Sequence, residues 1–299
     1  MKITKMDFSN YYGLIFVTLA ALMWGGGAGI AGFLMNQDWD PILIAAFRAT
    51  VALMILFIWY ATHNKHRLTL NKNLIFWAVV GGAGMAGNMG FYFLSISEIN
   101  VPVAATLMYS APIFVFLIAI IFGTEKVTKS KATLSIVVLS GIVLLTGVYK
   151  MDLAELNVLG IFFGLMAGIM YALFIFGYKN GLQNGSLITV VIVSSITEAT
   201  LLTLFADKSD YAQLLTSFED VQWFLFLGIS ASMSLLFYNT GLSNVNPGTA
   251  SVIAMVEPVT AGIVGIFILG QVLNFVELIG MVIILITVTA MSYYSIKNE

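Results

Sequence analysis

The sequence predicts an all-α integral membrane protein: ten transmembrane helices arranged as two inverted-topology five-helix repeats. Three observations predict it. Apolar residues make up 60% of the 299 residues and charged residues 9%, against roughly 45–50% and about 25% in soluble domains. Nearly charge-free segments recur at about 20 residues, the length a helix needs to cross the hydrocarbon core of a bilayer. Finally, the second half of the chain repeats the first. Shifted by 146 residues, 91–125 falls without a gap on 237–271, pairing Phe91 with Phe237, Tyr92 with Tyr238, Asn100 with Asn246 and Pro112 with Pro258.

The spans follow in order at about 11–33, 41–62, 74–96, 101–122, 130–149, 157–178, 186–206, 220–242, 248–270 and 275–296. The first repeat is expected over 11–149 and the second over 157–296. Within the spans the register extends to Trp77 on Trp223 and Leu139 on Leu285. An offset of 147 places Gly13 on Gly160 and Trp24 on Tyr171. Each copy contains an apolar helix, a tight polar turn and a second apolar helix with a central proline, Pro112 or Pro258, expected to bend it. Asn100 and Asn246 suit helix N-caps, and Pro247 then falls at the first helical position. The longest connection, around 207–220, has room for one short interfacial helix. The first apolar run follows Lys2 and Lys5 but is too long for a signal peptide's core, so it reads as the first span.

Basic residues orient the chain. With the N-terminus inside, inner segments carry Lys2, Lys5, Lys65, Arg67, Lys72, Lys126, Lys129, Lys131, Lys179 and Lys297, and outer segments carry only Lys150 and Lys208. Both termini are therefore expected on the cytoplasmic side of the cell membrane. Five spans is an odd number, so the two copies enter the membrane from opposite sides. Inverted repeats of this kind are a recurrent design of secondary transporters.

A Trp-Gly in span one (Trp24, Gly25), an arginine in span two (Arg48), and an alanine-rich fourth span with a central proline and a terminal glutamate (Ala104, Ala105, Pro112, Glu125) together resemble the EamA branch of the drug/metabolite transporter superfamily. The resemblance covers about 13–149 and 157–291. It implies transport of amino acids, nucleobase-like metabolites, amphipathic drugs or choline-like solutes, often outward. The second copy departs from the pattern at Gln271, where glutamate is common.

Glycine clusters at Gly25–Gly27 and Gly29, at Gly81, Gly82, Gly84 and Gly87, and at Gly164 and Gly168 read as close-packing surfaces. Nothing matches a nucleotide-binding loop. The charges inside the spans are the informative exceptions, because an ionised side chain at bilayer depth usually faces a cavity or a partner. They are Arg48, Glu198 and Glu257, whose repeat counterparts are Ser195, Val51 and Ala111. Glu257 shares a stripe with Ala250, Ala254, Ala261 and Gly265, which should turn it toward the bundle interior. Glu198 shares a face with Ser194 and Ser195, and Arg48 lies near the outer end of its span. Each also has a purely structural reading, in pairing or in bonding to nearby hydroxyls. Asn88, Asn239 and the aromatics Trp24, Tyr109 and Tyr171, with Tyr92 and Tyr238 behind them, are further candidates to line a cavity.

Other classes fit less well. Cysteine is absent, and the histidines His63 and His66 stand in a basic loop without carboxylates at metal spacing. No metal, cofactor, nucleic acid or enzymatic activity is therefore expected. The partners expected are the bilayer, a small-molecule substrate and protons; monomer and homodimer both stay open. The reading is a secondary carrier of a small cationic, zwitterionic or amino-acid-like solute or drug, bound among spans one to four and six to nine. Alternating access, export and proton coupling through Glu257 or Glu198 complete it. The alternatives are an uptake carrier or facilitator for a choline-like or nucleobase-like solute, and a channel or membrane adaptor.

Overall fold

The structure, a computed structural model, describes residues 8–62, 68, 71–99, 101–125, 128–150, 157–206, 214 and 218–298. The histidine-bearing loop, Asn100 and most of the 207–220 connection lie outside them. The first repeat holds α1 (Phe8–Met35), α2 (Pro41–Thr62), α3 (Lys72–Glu98), α4 (Val101–Met108), α5 (Ala111–Phe122) and α6 (Lys129–Thr146), closed by a 3-10 turn at Val148–Lys150. The second holds α7 (Val158–Gln183), α8 (Leu187–Phe205), α9 (Phe218–Asn244), α10 (Pro247–Ile253), α11 (Val256–Leu269) and α12 (Phe275–Asn298). With α4/α5 and α10/α11 each counted as one crossing, the described residues contain ten helices long and apolar enough to span a bilayer.

Polar residues at the ends start the helices. The side chains of Asn71, Thr128, Asn157 and Ser186 accept N–H groups of the first turns of α3, α6, α7 and α8. Gly123, Gly147 and Gly270 end α5, α6 and α11 at φ of 62°, 70° and 65°, backbone that a side chain rarely tolerates. Asn246 departs from expectation. It occupies the N-cap of α10 with Pro247 behind it, but its amide makes no capping bond. The Gly248 N–H instead donates to Glu125 Oε2 at 2.9 Å, so a carboxylate from the other repeat does the capping.

The prolines interrupt rather than bend. Proline has no N–H, and its ring collides with the carbonyl four residues back, Met108 for Pro112 and Ala254 for Pro258. The helices accordingly stop there, at Met108 and at Ile253. Ser110 donates to Leu107 O at 3.2 Å and Met255 to Val252 O at 3.1 Å, tight turns of matching form in the two repeats.

The repeats interleave. α3 packs on α7 as α1 packs on α9, and α3 on α8 as α9 on α2, while α2 with α8 and α6 with α12 pair across the pseudo-two-fold. Direction follows from the contacts. Gly13, early in α1, lies against Asn244 and Val245 at the end of α9. Gly160, early in the equivalent α7, lies against Glu98 and Ile99 at the end of α3. Equivalent helices therefore start at opposite faces of the bundle, which is the inverted topology. Where α3 meets α7, Gly81 and Gly177 touch backbone to backbone and leave no room for a Cβ. The outer surface carries Ile58, Ile121, Phe122, Phe205, Phe267 and Val282 exposed. Such a surface suits acyl chains and would associate in water.

Candidate functional site

The interrupted helices and the glycine-packed ones converge at mid-bundle, and a cavity of about 130 Å³ opens there. Its inner end is built from Trp24 (α1), Met108 and Tyr109 (at the α4/α5 break), Tyr171 and Phe174 (α7) and Glu257 (α11). From there the lining runs along α1 through Ala28 and Ala31 to Met35, along α2 from Arg48 back to Pro41, and along the second half of α3 through Asn88, Met89, Tyr92 and Phe93. Met35 and Pro41 flank the α1–α2 turn, where Asn36, Gln37 and Asp38 are exposed. The cavity thus reaches from the middle toward that face, hereafter the mouth face.

The opposite half is sealed. Trp24 packs on Tyr238 at 4.9 Å between ring centroids, and Phe174 on Tyr178 and on Tyr238 at 5.5 Å each. Tyr178 and Tyr238 are fully buried, and every residue of α10 is buried. At the edge of this face Lys179 Nζ donates to the carbonyls of Leu242 and Val245, at 2.7 and 2.9 Å, joining α7 to the end of α9.

Two charges of opposite sign face the cavity from different repeats. Glu257 sits in the first turn of α11, where the helix dipole favours a carboxylate, and Tyr109 Oη donates to its Oε1 at 3.4 Å. Arg48 has no carboxylate within 4 Å among the described residues, and its buried Nε has no hydrogen-bond partner. Tyr171 Oη is likewise buried and unpaired. Asn88 is 1% exposed and its Nδ2 donates to Ala167 O at 3.0 Å, which ties α3 to α7 beside the cavity. The arrangement presents a cation, a carboxylate and six aromatic side chains to one small space. It can hold a solute carrying both charges.

Of the residues singled out from sequence, Arg48, Glu257, Asn88, Trp24, Tyr109 and Tyr171 line the cavity. Glu198 and Asn239 do not. Glu198 is buried in α8, which packs on α2 and α3 behind the cavity. The hydroxyls beside it are not its partners: Ser194 donates to Val191 O, and Ser195 Oγ is unpaired. Asn239 lies in the sealed half and donates to Leu235 O. The expected contributions of spans seven and eight are absent, because the cavity serves one face and those helices flank the other half. Phe174 and the methionines Met35, Met85, Met89 and Met108 were missed. Part of the signal was present: Met85, Met89 and Tyr92 follow helical spacing on the face that also presents Asn88. Among the described residues no group of His, Asp or Glu is clustered as a metal site would need.

Known proteins agree with this architecture. A solved structure titled only "Crystal structure of protein" superposes with a TM-score of 0.75, covering 97% of this chain and 99% of that one at 14% identity, a likeness of fold alone. A protein of Bacillus subtilis named as an uncharacterized transporter, YwfM, is 24% identical over 95% of this chain and 94% of its own. An uncharacterized transporter of Archaeoglobus fulgidus is 27% identical over 65% of this chain and 68% of its own. One of Helicobacter pylori is 22% identical over 92% of each. The profile of the EamA-like transporter family matches residues 11–147 and 158–293, the two five-helix repeats in turn. The chain is a multi-pass membrane protein belonging to the EamA-like transporter family.

Proposed function

We propose that the protein is a secondary carrier that exports a small zwitterionic, amino-acid-like solute across the cell membrane by alternating access. The observation that carries this reading is that Arg48, whose buried Nε has no hydrogen-bond partner, and Glu257 line one aromatic-rich cavity at the centre of an inverted repeat. Arg48 offers a planar fork that suits a carboxylate. Glu257 takes the ammonium, helped by the faces of Trp24, Tyr92 and Tyr109. The apolar body of the solute lies among Phe174 and the methionines, which fill irregular space.

A quaternary ammonium such as choline would suit the rings and Glu257, but it would leave Arg48 facing a like charge without a carboxylate. Proton coupling is assigned to Glu257, because a carboxylate at bilayer depth that binds a cationic group can hold a proton when the solute leaves. The excess of basic residues in the expected inner segments supports an orientation with Lys179 and α10 on the cytoplasmic side, in which the cavity faces outward. Cysteines at Gln37 and Asn244, both exposed, test that orientation in intact cells: an impermeant thiol reagent should label the first and not the second.

The carrier reading is tested in vesicles. Zwitterionic phenylalanine or leucine inside should accelerate uptake of the labelled solute from outside, and should raise the melting temperature of the detergent-solubilised protein more than choline does. Flux that rises linearly with concentration, without such exchange, would favour a channel. Binding of choline in preference to both zwitterions would replace the solute class.

A further inference from the structure

Six buried side-chain N or O atoms of the described residues lack a hydrogen-bond partner: Arg48 Nε, Tyr171 Oη, Tyr178 Oη, Ser195 Oγ, Tyr238 Oη and Asn239 Oδ1. Native proteins rarely leave such atoms unpaired, and each instance calls for a reason. Arg48 and Tyr171 line the cavity, which is reason enough. The other four do not, yet the repeat register gives them one address. Tyr178 stands where the first copy has Ala31, Ser195 where it has Arg48, Tyr238 where it has Tyr92 and Asn239 where it has Phe93. All four of those first-copy residues line the cavity. Buried serines at several other places, Ser135, Ser194, Ser232 and Ser251, return a hydrogen bond to their own helix. The unpaired atoms are therefore concentrated on the mirror image of the cavity, inside the sealed half.

A contact at the far face ties that half together. Glu125 is buried at the end of α5. Its Oε1 accepts from Lys131 Nζ at 2.6 Å, and its Oε2 accepts from the Gly248 N–H at 2.9 Å, pinning the α5–α6 connection to the start of α10. At the mouth face the register puts Gln271, Glu277 and Pro102 in the three equivalent places. Pro102 has no N–H to donate, Glu277 cannot pair with an acceptor, and Gln271 is exposed beside its own helix at Gly265. The same latch cannot form there.

We propose that in the opposite-facing state the sealed half opens as a second vestibule lined by Tyr178, Ser195, Tyr238 and Asn239, and that the Glu125–Lys131–Gly248 contact holds it closed. The proposal rests on the alternating-access reading above and adds the residues of the second path and its lock. Hydroxyls and an amide replace the guanidinium of the first vestibule, so the second passes the polar head of a zwitterion without a fixed charge to retain its carboxylate.

The cysteine-free chain allows a direct test. Single cysteines are placed at Ser195 and Asn239, at Met89 in the present cavity, and at Val138, which is buried between α6 and α12 outside either path. Each is reacted in proteoliposomes with a charged methanethiosulfonate added from one face. Ser195→Cys and Asn239→Cys should react from the face opposite the mouth, about tenfold or more faster than Val138→Cys, whereas Met89→Cys reacts from the mouth face. Adding Glu125→Gln removes a charge-assisted bond, so it should speed the first two and slow Met89→Cys by about tenfold. A general loosening would speed all four, Val138→Cys included, and would overturn the lock. Reaction of Ser195→Cys and Asn239→Cys from the mouth face, or inertness equal to Val138→Cys, would overturn the second vestibule even if solute exchange is observed. Reaction as expected without any solute exchange would leave the vestibule standing and remove the carrier reading. If the Glu125→Gln protein does not fold, Lys131→Gln, which weakens the same contact from the donor side, is read in its place with the same expected and overturning results.

Discussion

The two interrupted crossings start from one register and end in different surroundings. In α10 every residue is buried, enclosed by α1, α5, α7 and α12. In α4 only Val103, Ala104 and Met108 are buried, and Val101 is 53% exposed. α4 stops four residues before Pro112 and α10 five before Pro258, so the backbone follows the repeat to within one residue. What differs is the residues on which the repeat disagrees: Glu125 against Gln271, Gly248 against Pro102, Glu257 against Ala111. The comparison teaches that the shared sequence sets where the chain breaks. The unshared residues place the Glu125–Gly248 contact in one half only and decide where charge faces the cavity.

The sharpest way to break this comparison is at Glu257, where one repeat has a carboxylate and the other Ala111. Glu257→Gln keeps the size of the side chain and its bond from Tyr109, so the protein should insert and melt normally. Gradient-driven transport should disappear. If Glu257 carries the proton alone, exchange at equal concentrations survives. If it also holds the ammonium, binding of the zwitterion weakens by about 1.5–3 kcal/mol, or roughly tenfold to a hundredfold. Glu198→Gln, buried behind the cavity, should change affinity by less than about threefold, since it loses no solute contact. Calorimetric titration of both variants decides; equal losses would mean that the cavity lining does not identify the binding charges.

Arg48 against Ser195 is the next asymmetry. Arg48→Gln should weaken binding of a carboxylate-bearing solute by about tenfold and leave choline unaffected or improved, because the like charge is gone. A uniform loss for both solutes would assign Arg48 to packing rather than recognition.

How much of this was legible beforehand differs between fold and site. Ten apolar runs, an odd number per copy and a fixed register fixed the architecture, since bilayer thickness leaves few choices of element. The rotation of each helix about its axis was far less legible. In a soluble helix polarity marks the outward face; here lipid and interior are both apolar, so Glu198 and Glu257 look alike in sequence. Glu257 was separable through its stripe of small residues, and Ala250 and Ala254 are indeed fully buried. Nothing local distinguished Asn88 from Asn239. Their roles depend on which half is open, a property of the whole bundle.

Neighbouring glycines sharpen the packing side of the comparison. At Gly25 a Cβ would meet the Glu257 carbonyl and Thr260, whereas at Gly26 it would meet nothing within 4 Å. Gly25→Ala should therefore push α1 off α11 and cost about 1–3 kcal/mol, disturbing the cavity as well. Gly26→Ala should stabilise by about 0.5–1 kcal/mol through helix propensity alone. Thermal melting in detergent reports both signs, and equal behaviour would remove the close-packing account of α1.

The smallest expected effect compares two of the asparagines at N-cap positions, Asn157 and Asn246, and it tests whether capping has passed from Asn246 to Glu125. Asn157 accepts the Leu159 N–H at 2.9 Å and donates to Glu98 Oε2 at 2.7 Å. Asn246 holds the same position on α10 but its side chain caps nothing. Replacing Asn157 by alanine should cost about 1 kcal/mol, the usual value of a lost cap. Asn246→Ala should stay within about 0.5 kcal/mol, like other substitutions that break no contact, because the Gly248 N–H remains satisfied by Glu125. The two variants become informative together with Glu125→Gln. If Glu125 caps α10, Asn246→Ala stays near neutral with Glu125 intact and becomes costly once Glu125→Gln has weakened the acceptor. Additivity of the two changes, measured by melting of the single and double variants, would show that the carboxylate and the start of α10 act independently.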